Sequence, residues 1–202
     1  MELTGVDEAV DELRRSVADR AESELFTRAA VSVHLPDSDV VVLKPAGVSR
    51  DDLSADSVVV TDMSGKVLDG GLAPWSGGDT HVDVHREMPE VQVIVNTRST
   101  LVMAAAARGE PVPPLPVDAA GGRIPVAPGG SGSGEDIVGT LRSGSSPAVL
   151  MRGHGLFTVG SSAGEAVKAA VLLERRIRTI HLGRQLGTAE PLDPQDVDWL
   201  RR

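Results

Sequence analysis

Short β-branched runs, joined in pairs by tight turns or separated by helical stretches, constrain this chain more than any other feature. Residues 30–35 and 40–43 flank Pro36-Asp37-Ser38-Asp39, a cluster of turn formers, and predict a hairpin. Residues 57–61 and 66–68 predict a second, around Met63-Ser64-Gly65. The apolar run 92–96 reads as a strand buried on both faces. Residues 123–127, 148–151 and 156–159 supply three further strands.

Helical spacing appears between them. Val6, Val10, Leu13, Val17 and Ala21 recur on one face of an amphipathic helix over 4–26, with Thr4 as its cap and Asp7 three residues on. Residues 49–53 suit a short helix. Residues 79–88 suit a longer one, stopped by Pro89. Ala-rich 100–108 ends at Gly109, and 135–141 and 161–183 complete the helical set. The stretches 70–78, 111–116 and 128–134 read as loops, and the tail from 188 as a Pro- and Asp-rich surface segment. No internal repeat is visible. Helices between hairpins predict one α/β domain over 1–202. Its layers are α/β/α, with a mixed, mostly antiparallel central sheet flanked by helices.

Composition narrows the class. With 41% hydrophobic residues in 202, the chain can build a substantial core, made of Val, Leu, Ile and Ala because Phe26, Phe157, Trp75 and Trp199 are its only aromatics. The net charge is −9 with no basic stripe, so nucleic acid is not an expected partner. The absence of Cys excludes disulfides and thiolate metal sites. No run approaches the roughly 20 apolar residues of a membrane span, and residues 1–7 lack the pattern of a secretory leader. A soluble cytoplasmic protein is expected. Cationic charge is nearly all Arg, with only Lys44, Lys66 and Lys168 as lysines, a usage that suggests a GC-rich bacterial gene.

Several motifs then fall in a specific order. They are Lys44-Pro45-Ala46-Gly47-Val48, the hairpin Val58-Val59-Val60-Thr61-Asp62-Met63-Ser64-Gly65-Lys66-Val67, the strand Val93-Ile94-Val95-Asn96-Thr97-Arg98-Ser99, Ile124-Pro125-Val126-Ala127-Pro128, and Arg152-Gly153-His154-Gly155-Leu156. Each is weak alone, but their joint order and spacing resemble the class II aldolase/adducin family, that of fuculose-phosphate aldolase and ribulose-phosphate 4-epimerase. The resemblance covers roughly residues 5–185. It implies the layered fold, a homotetramer with pockets between subunits, and a zinc ion held by three histidines.

The chain departs from that pattern at the site. The resemblance implies His-x-His where Asn96-Thr97-Arg98 stands, and of the three histidines only His154 is kept. Ala29-Ala30 replace a phosphate-binding Gly-Asn. Pro74-Trp75-Ser76-Gly77 replace a Pro-Ser-Ser-Glu loop that carries the acid/base Glu, and Pro128-Gly129 replace a Pro-Tyr. Class II aldolase chemistry uses zinc as a Lewis acid with three protein ligands. An Arg has no lone pair to offer, so no zinc and no other cofactor is expected in that seat. A fixed guanidinium can instead stabilise an enolate or grip a carboxylate.

The expected site therefore has His154 as acid/base and Arg98 as anion or enolate stabiliser, with Trp75, Ser76, Asn96, Asp118 and Gly47 against the substrate. Asp118 reads equally as a turn residue. His81 and His85 lie four apart on a helix. They either join His154 in a replacement metal site, or His81 matches a position where the resemblance implies a common histidine and His85 is half-exposed. Lys44 is a buried nucleophilic amine or, in preference, a surface strand lysine. Arg152 reads as structural, and His34 and His181 belong to no constellation. The Gly-rich loop 128–134 either cradles an anion at a helix start or is a linker.

Three functions remain open. The first is a metal-independent small-molecule enzyme of lyase, isomerase or cyclase type. The second is a non-catalytic subunit or binding module, paired in a hetero-oligomer with an intact paralogue. The third is an ordinary metal-dependent sugar-phosphate aldolase or epimerase.

Overall fold

A computed structural model describes residues 5–17, 20–70, 77–115, 122–128, 133–144 and 146–187. Seven strands form one sheet: β1 (Ala30–Leu35), β2 (Val40–Lys44), β3 (Val59–Asp62), β4 (Val67–Gly70), β5 (Val93–Thr97), β6 (Ala148–Met151) and β7 (Gly155–Gly160). Their order is β4-β3-β2-β1-β5-β7-β6, and every neighbouring pair is antiparallel. The expected parallel component shrinks, among the described residues, to one bridge between Val126 and Leu150. The strand expected over 123–127 is that bridge plus another from Ile124 to Val112. Pro125 interrupts it because it has no N–H to donate to a ladder.

The central strands are buried on both faces, so they carry unbroken apolar runs. On one face Val31, Val33, Val40, Val42, Val60, Val93 and Val95 meet α1 (Val6–Arg15), Phe26 of α2 (Arg20–Arg28), and the small-residue face of α6 (Ala163–Leu186). On the same side, α4 (Thr100–Arg108) lays Val102 and Ala106 on Leu150 and Leu156, beside Leu173 and Ile177 of α6. On the other face α3 (Gly78–Glu87) covers Val41, Leu43 and Val59 through Val82. There too, α5 (Gly134–Ser143) covers Val149, Met151 and Phe157 through Ile137, Val138 and Leu141. The three layers are those expected.

Two local expectations give way. The helix over 4–26 is two helices, broken where the Ser16 hydroxyl turns back to the Leu13 carbonyl (2.8 Å) and its N–H closes on Glu12 (2.9 Å). The break lets Leu13, Val17 and Phe26 enter one core. Gly5, at φ 97, stands at the N-cap, while Thr4 lies outside the described residues. Residues 49–53 form a turn rather than a helix. Ser49 hydroxyl and Asp52 bond each other, a local pairing that competes with helix formation.

Lys44 is a correction. It is not a surface lysine but fully buried. Its Nζ donates to the carbonyls of Phe26 (2.8 Å), Ala29 (2.9 Å) and Pro45 (3.1 Å), and lies 4.6 Å from the Phe26 ring centroid. The Phe26 and Ala29 carbonyls belong to the end of α2, so the ammonium caps that helix. Burial pulls its pKa down to about 7. The three acceptors oppose that pull, because only the ammonium form has a proton for each.

The β6–β7 hairpin turns through Arg152-Gly153-His154, with Gly153 at φ 74 and Gly155 at φ 92. A Cβ on Gly155 would lie 2.2 Å from the Thr97 carbonyl oxygen. Only glycine lets β7 begin this close to the end of β5.

Lys44→Met keeps the apolar stem and removes the donor. It is expected to lower the unfolding free energy by about 1–3 kcal/mol, measured by urea denaturation; an unchanged midpoint would contradict the capping role. Gly155→Ala combines a positive φ with a backbone clash. The same measurement should show a loss on the order of 3 kcal/mol.

Candidate functional site

Sheet register assembles the site. Ala30 pairs with Asn96, Val31 with Lys44, Asn96 with Phe157, and Thr97 with Leu156. The start of β1, the ends of β2 and β5 and the start of β7 therefore share one end of the sheet. Gly47 follows β2 there, exposed, at φ 96, with its N–H on the Thr27 carbonyl (2.7 Å) and open space where a Cβ would stand. α4 begins there too, with Ser99 as its N-cap.

Asn96, Arg98 and His154 come together at this end. Asn96 is buried, and its Nδ2 donates to the carbonyls of His154 (2.9 Å) and Leu156 (3.2 Å). Arg98 Nε donates to Asn96 Oδ1 (3.2 Å) and to the His154 carbonyl (3.2 Å). Arg98 itself is exposed and His154 is half-buried. The Asn96 amide thus spends both ends on neighbours, and the Arg98 stem is held from two sides. The guanidinium precedes the N-terminus of α4, where the helix dipole adds partial positive charge. The pair suits an anion. It does not suit a divalent cation: Asn96 turns its donor end to two carbonyls, and Arg98 has no lone pair. The residues present do not reproduce the three-histidine zinc seat.

The alternative metal cluster does not form either. Among the described residues no three His, Cys, Asp or Glu side chains make a metal-holding group. His81 and His85 turn to Ser32 instead. Ser32 Oγ lies 2.8 Å from His81 Nδ1 and 2.8 Å from His85 Nε2, and His85 Nδ1 lies 3.0 Å from the Val91 carbonyl. His85 is therefore fully buried, not half-exposed as the sequence suggested. Its i, i+4 partner and the valines around it put that face of α3 onto β1. Burial pulls the His81 pKa down to about 3, helped by the charges of His85 and Arg98. Burial likewise pulls His85 down to about 4, against the Val91 hydrogen bond and with His34 adding to the fall.

Ser32 and His34 were missed by sequence reasoning. The signal was present: Ala30, Ser32 and His34 alternate onto one face of β1, and two polar residues there require partners across the layer. His34 is buried beside this network, with its ring centroid 5.7 Å from that of His85. Its Nε2 stands 3.8 Å from an Asp39 carboxylate oxygen.

The remaining expectations divide. Arg152 lies over the C-terminus of α4; a Cβ on Gly109 would come within 2.0 Å of its guanidinium. That position suits a structural cation at a helix end. Of the Gly-rich loop, 129–132 lie outside the described residues. The α5 start that follows is already capped by Ser133, whose Oγ accepts from Glu135 N–H (3.2 Å). Glu135 and Asp136 occupy its first turn, which disfavours a phosphate. Trp75, Ser76, Asp118 and the tail from 188 also lie outside the described residues. A groove of about 260 Å³ runs between α4 and α6, lined by Leu101, Ala104, Val112, Ile177 and Ile180; Asn96, Arg98 and His154 do not line it. Among the described residues no helix is long and apolar enough to cross a membrane.

Comparison with known proteins agrees with this architecture. An L-fuculose 1-phosphate aldolase is 20% identical, covering 96% of this chain and 94% of its own, with a TM-score of 0.74. The L-fuculose 1-phosphate aldolase from Glaciozyma antarctica PI12 is 22% identical, covering 100% of this chain and 84% of its own, with a TM-score of 0.74. YgbL from Klebsiella pneumoniae is 27% identical, covering 97% of each chain, with a TM-score of 0.69. The family model of the class II aldolase and adducin N-terminal domain matches residues 9–181. With that match spanning most of its length, the chain belongs to the class II aldolase and adducin N-terminal domain family.

Proposed function

We propose that this chain is a metal-independent small-molecule enzyme on the class II aldolase fold, of lyase, isomerase or cyclase type. One observation carries the reading: Arg98, which stands where the resemblance implies a metal-binding histidine, is tied through Nε to Asn96 Oδ1 and the His154 carbonyl. The exposed guanidinium holds a carboxylate or a developing enolate oxygen, supplying by fixed charge what a Lewis acid supplies elsewhere. The His154 side chain, in the adjoining hairpin turn, moves the proton. Asn96 positions Arg98 and keeps the turn against β5. Gly47 admits the ligand closely at the same end of the sheet, and Trp75, Ser76 and Asp118 complete its contacts. The ligand is a small anion, and further copies of the chain close the pocket in a homotetramer.

A second reading, a non-catalytic binding subunit paired with an intact paralogue, is favoured by Gly77. It stands where the family pattern places the acid/base Glu, and it serves as the N-cap of α3 at φ 120. A glycine transfers no proton.

Oxalate, a planar dianion resembling an enediolate, is the probe for the first reading. Calorimetry should show binding to the intact protein. Arg98→Ala should weaken it about tenfold or more, the worth of one charge-assisted contact, and Arg98→Lys should restore part of it. Equal affinity in the wild type and Arg98→Ala would refute the anion-binding role. His154→Ala should retain oxalate binding and lose turnover of any substrate found; unchanged turnover would remove His154 from the chemistry.

A further inference from the structure

Between α3 and β1 lies a hydrogen-bond chain that the proposed reaction does not use. Its direction follows from chemistry. The Val91 carbonyl can only accept, so His85 Nδ1 carries a proton (3.0 Å). In the neutral ring His85 Nε2 is then an acceptor, and the Ser32 hydroxyl donates to it at 2.8 Å. Ser32 Oγ in turn accepts from His81 Nδ1–H at 2.8 Å. Both histidines are thereby fixed as the Nδ1–H tautomer, the less common one in water. Ser32, His81 and His85 are 0%, 1% and 0% exposed, so any charge placed on them is desolvated.

The surroundings make that charge costly. From β1, His34 stands near His85; its nearest carboxylate, Asp39, is on the far turn and exposed. From the end of β5, Arg98 acts on His81 as a like charge. From β7, Phe157 presents a ring 5.8 Å from that of His81. From β2, Val41 and Leu43 pack on this helix. On α3 itself Asp83 is paired with Arg86, and from α5 Arg142 is spent on the Glu87 carbonyl. The partners of His85 are a hydroxyl and a carbonyl, neither able to neutralise an imidazolium.

We propose that Ser32, His81 and His85 form an acid-sensitive latch. At neutral pH it ties α3 to β1, and proton uptake on acidification frees α3 from the sheet. The consequence reaches the Arg98 end of the sheet, because the first turn of α3 packs there: a Cβ on Gly78 would meet Leu43 at 3.7 Å. The latch rests on the α3–β1 contact alone and stands whether or not the chain is an enzyme. The sign is fixed by burial. Exposed imidazoles take protons near pH 6.5, while the closed form resists down to about 4 at His85 and about 3 at His81. Between those values the open form binds more protons, so the closed form loses stability as pH falls.

The test is histidine nitrogen NMR and amide hydrogen exchange on the full chain from pH 7.5 to 4.5. Two buried, neutral Nδ1–H rings are expected. Exchange in 78–87, corrected for the intrinsic pH dependence, should accelerate about tenfold or more below pH 6 relative to the centre of α6. Ser32→Ala should produce that acceleration at pH 7.5 already; should this variant fail to fold, the wild-type titration decides alone. Rings that titrate near 6.5 while 78–87 stays protected would overturn the latch. So would Nε2–H tautomers, or α3 exchange that follows α6 at every pH.

Discussion

The pairing of β5 between β1 and β7 governs both the core and the site. It sets Val93 and Val95 into one core layer and turns Ile94 and Asn96 to the other. It also brings the β6–β7 turn against the end of β5, close enough that Gly155 cannot carry a side chain. A one-residue slip would send Asn96 into the valine layer and Val95 to the site. Burial on both faces makes such a slip expensive, so the register that builds the core also fixes where Asn96, Arg98 and the His154 turn meet.

That register explains how the family scaffold can hold while the residues at this end of the sheet vary. The fold depends on apolar runs, on glycines in two turns and on a lysine buried under α2. None of these involves the metal-seat side chains. Asn96 does retain a structural task, bridging β5 to β7 through two carbonyls. On the proposed reading, Arg98 exchanges a coordinated cation for a covalently attached one. A guanidinium offers directed hydrogen bonds and charge, not an open coordination position.

Much of this was legible in the sequence, for identifiable reasons. The strands 30–35 and 148–151 and the helix 100–108 match their sequence patterns to the residue, because β-branched runs and an alanine run bounded by Gly109 leave little choice. The Asn96–Arg98–His154 grouping was legible through motif order. Where reading failed, tertiary context had overruled local pattern. The break at Ser16 depends on a core that takes both Leu13 and Phe26. Lys44 looks like a surface residue until the end of α2 supplies two carbonyls and Pro45 a third. His85 looks like half of an exposed pair until Ser32, 53 residues earlier, accepts it into the interior. Single-sequence patterns carry burial and period, but not the partner across the layer.

The most direct test of the rewritten seat is metal content by elemental mass spectrometry. The tag-free protein would be supplied with excess zinc and then dialysed, alongside the Asn96→His/Arg98→His variant. Near-zero metal is expected for the wild type and about one zinc per chain for the variant, whose new pair would join His154 in a three-histidine site. About one tightly held metal per wild-type chain, lost on His154→Ala, would contradict it.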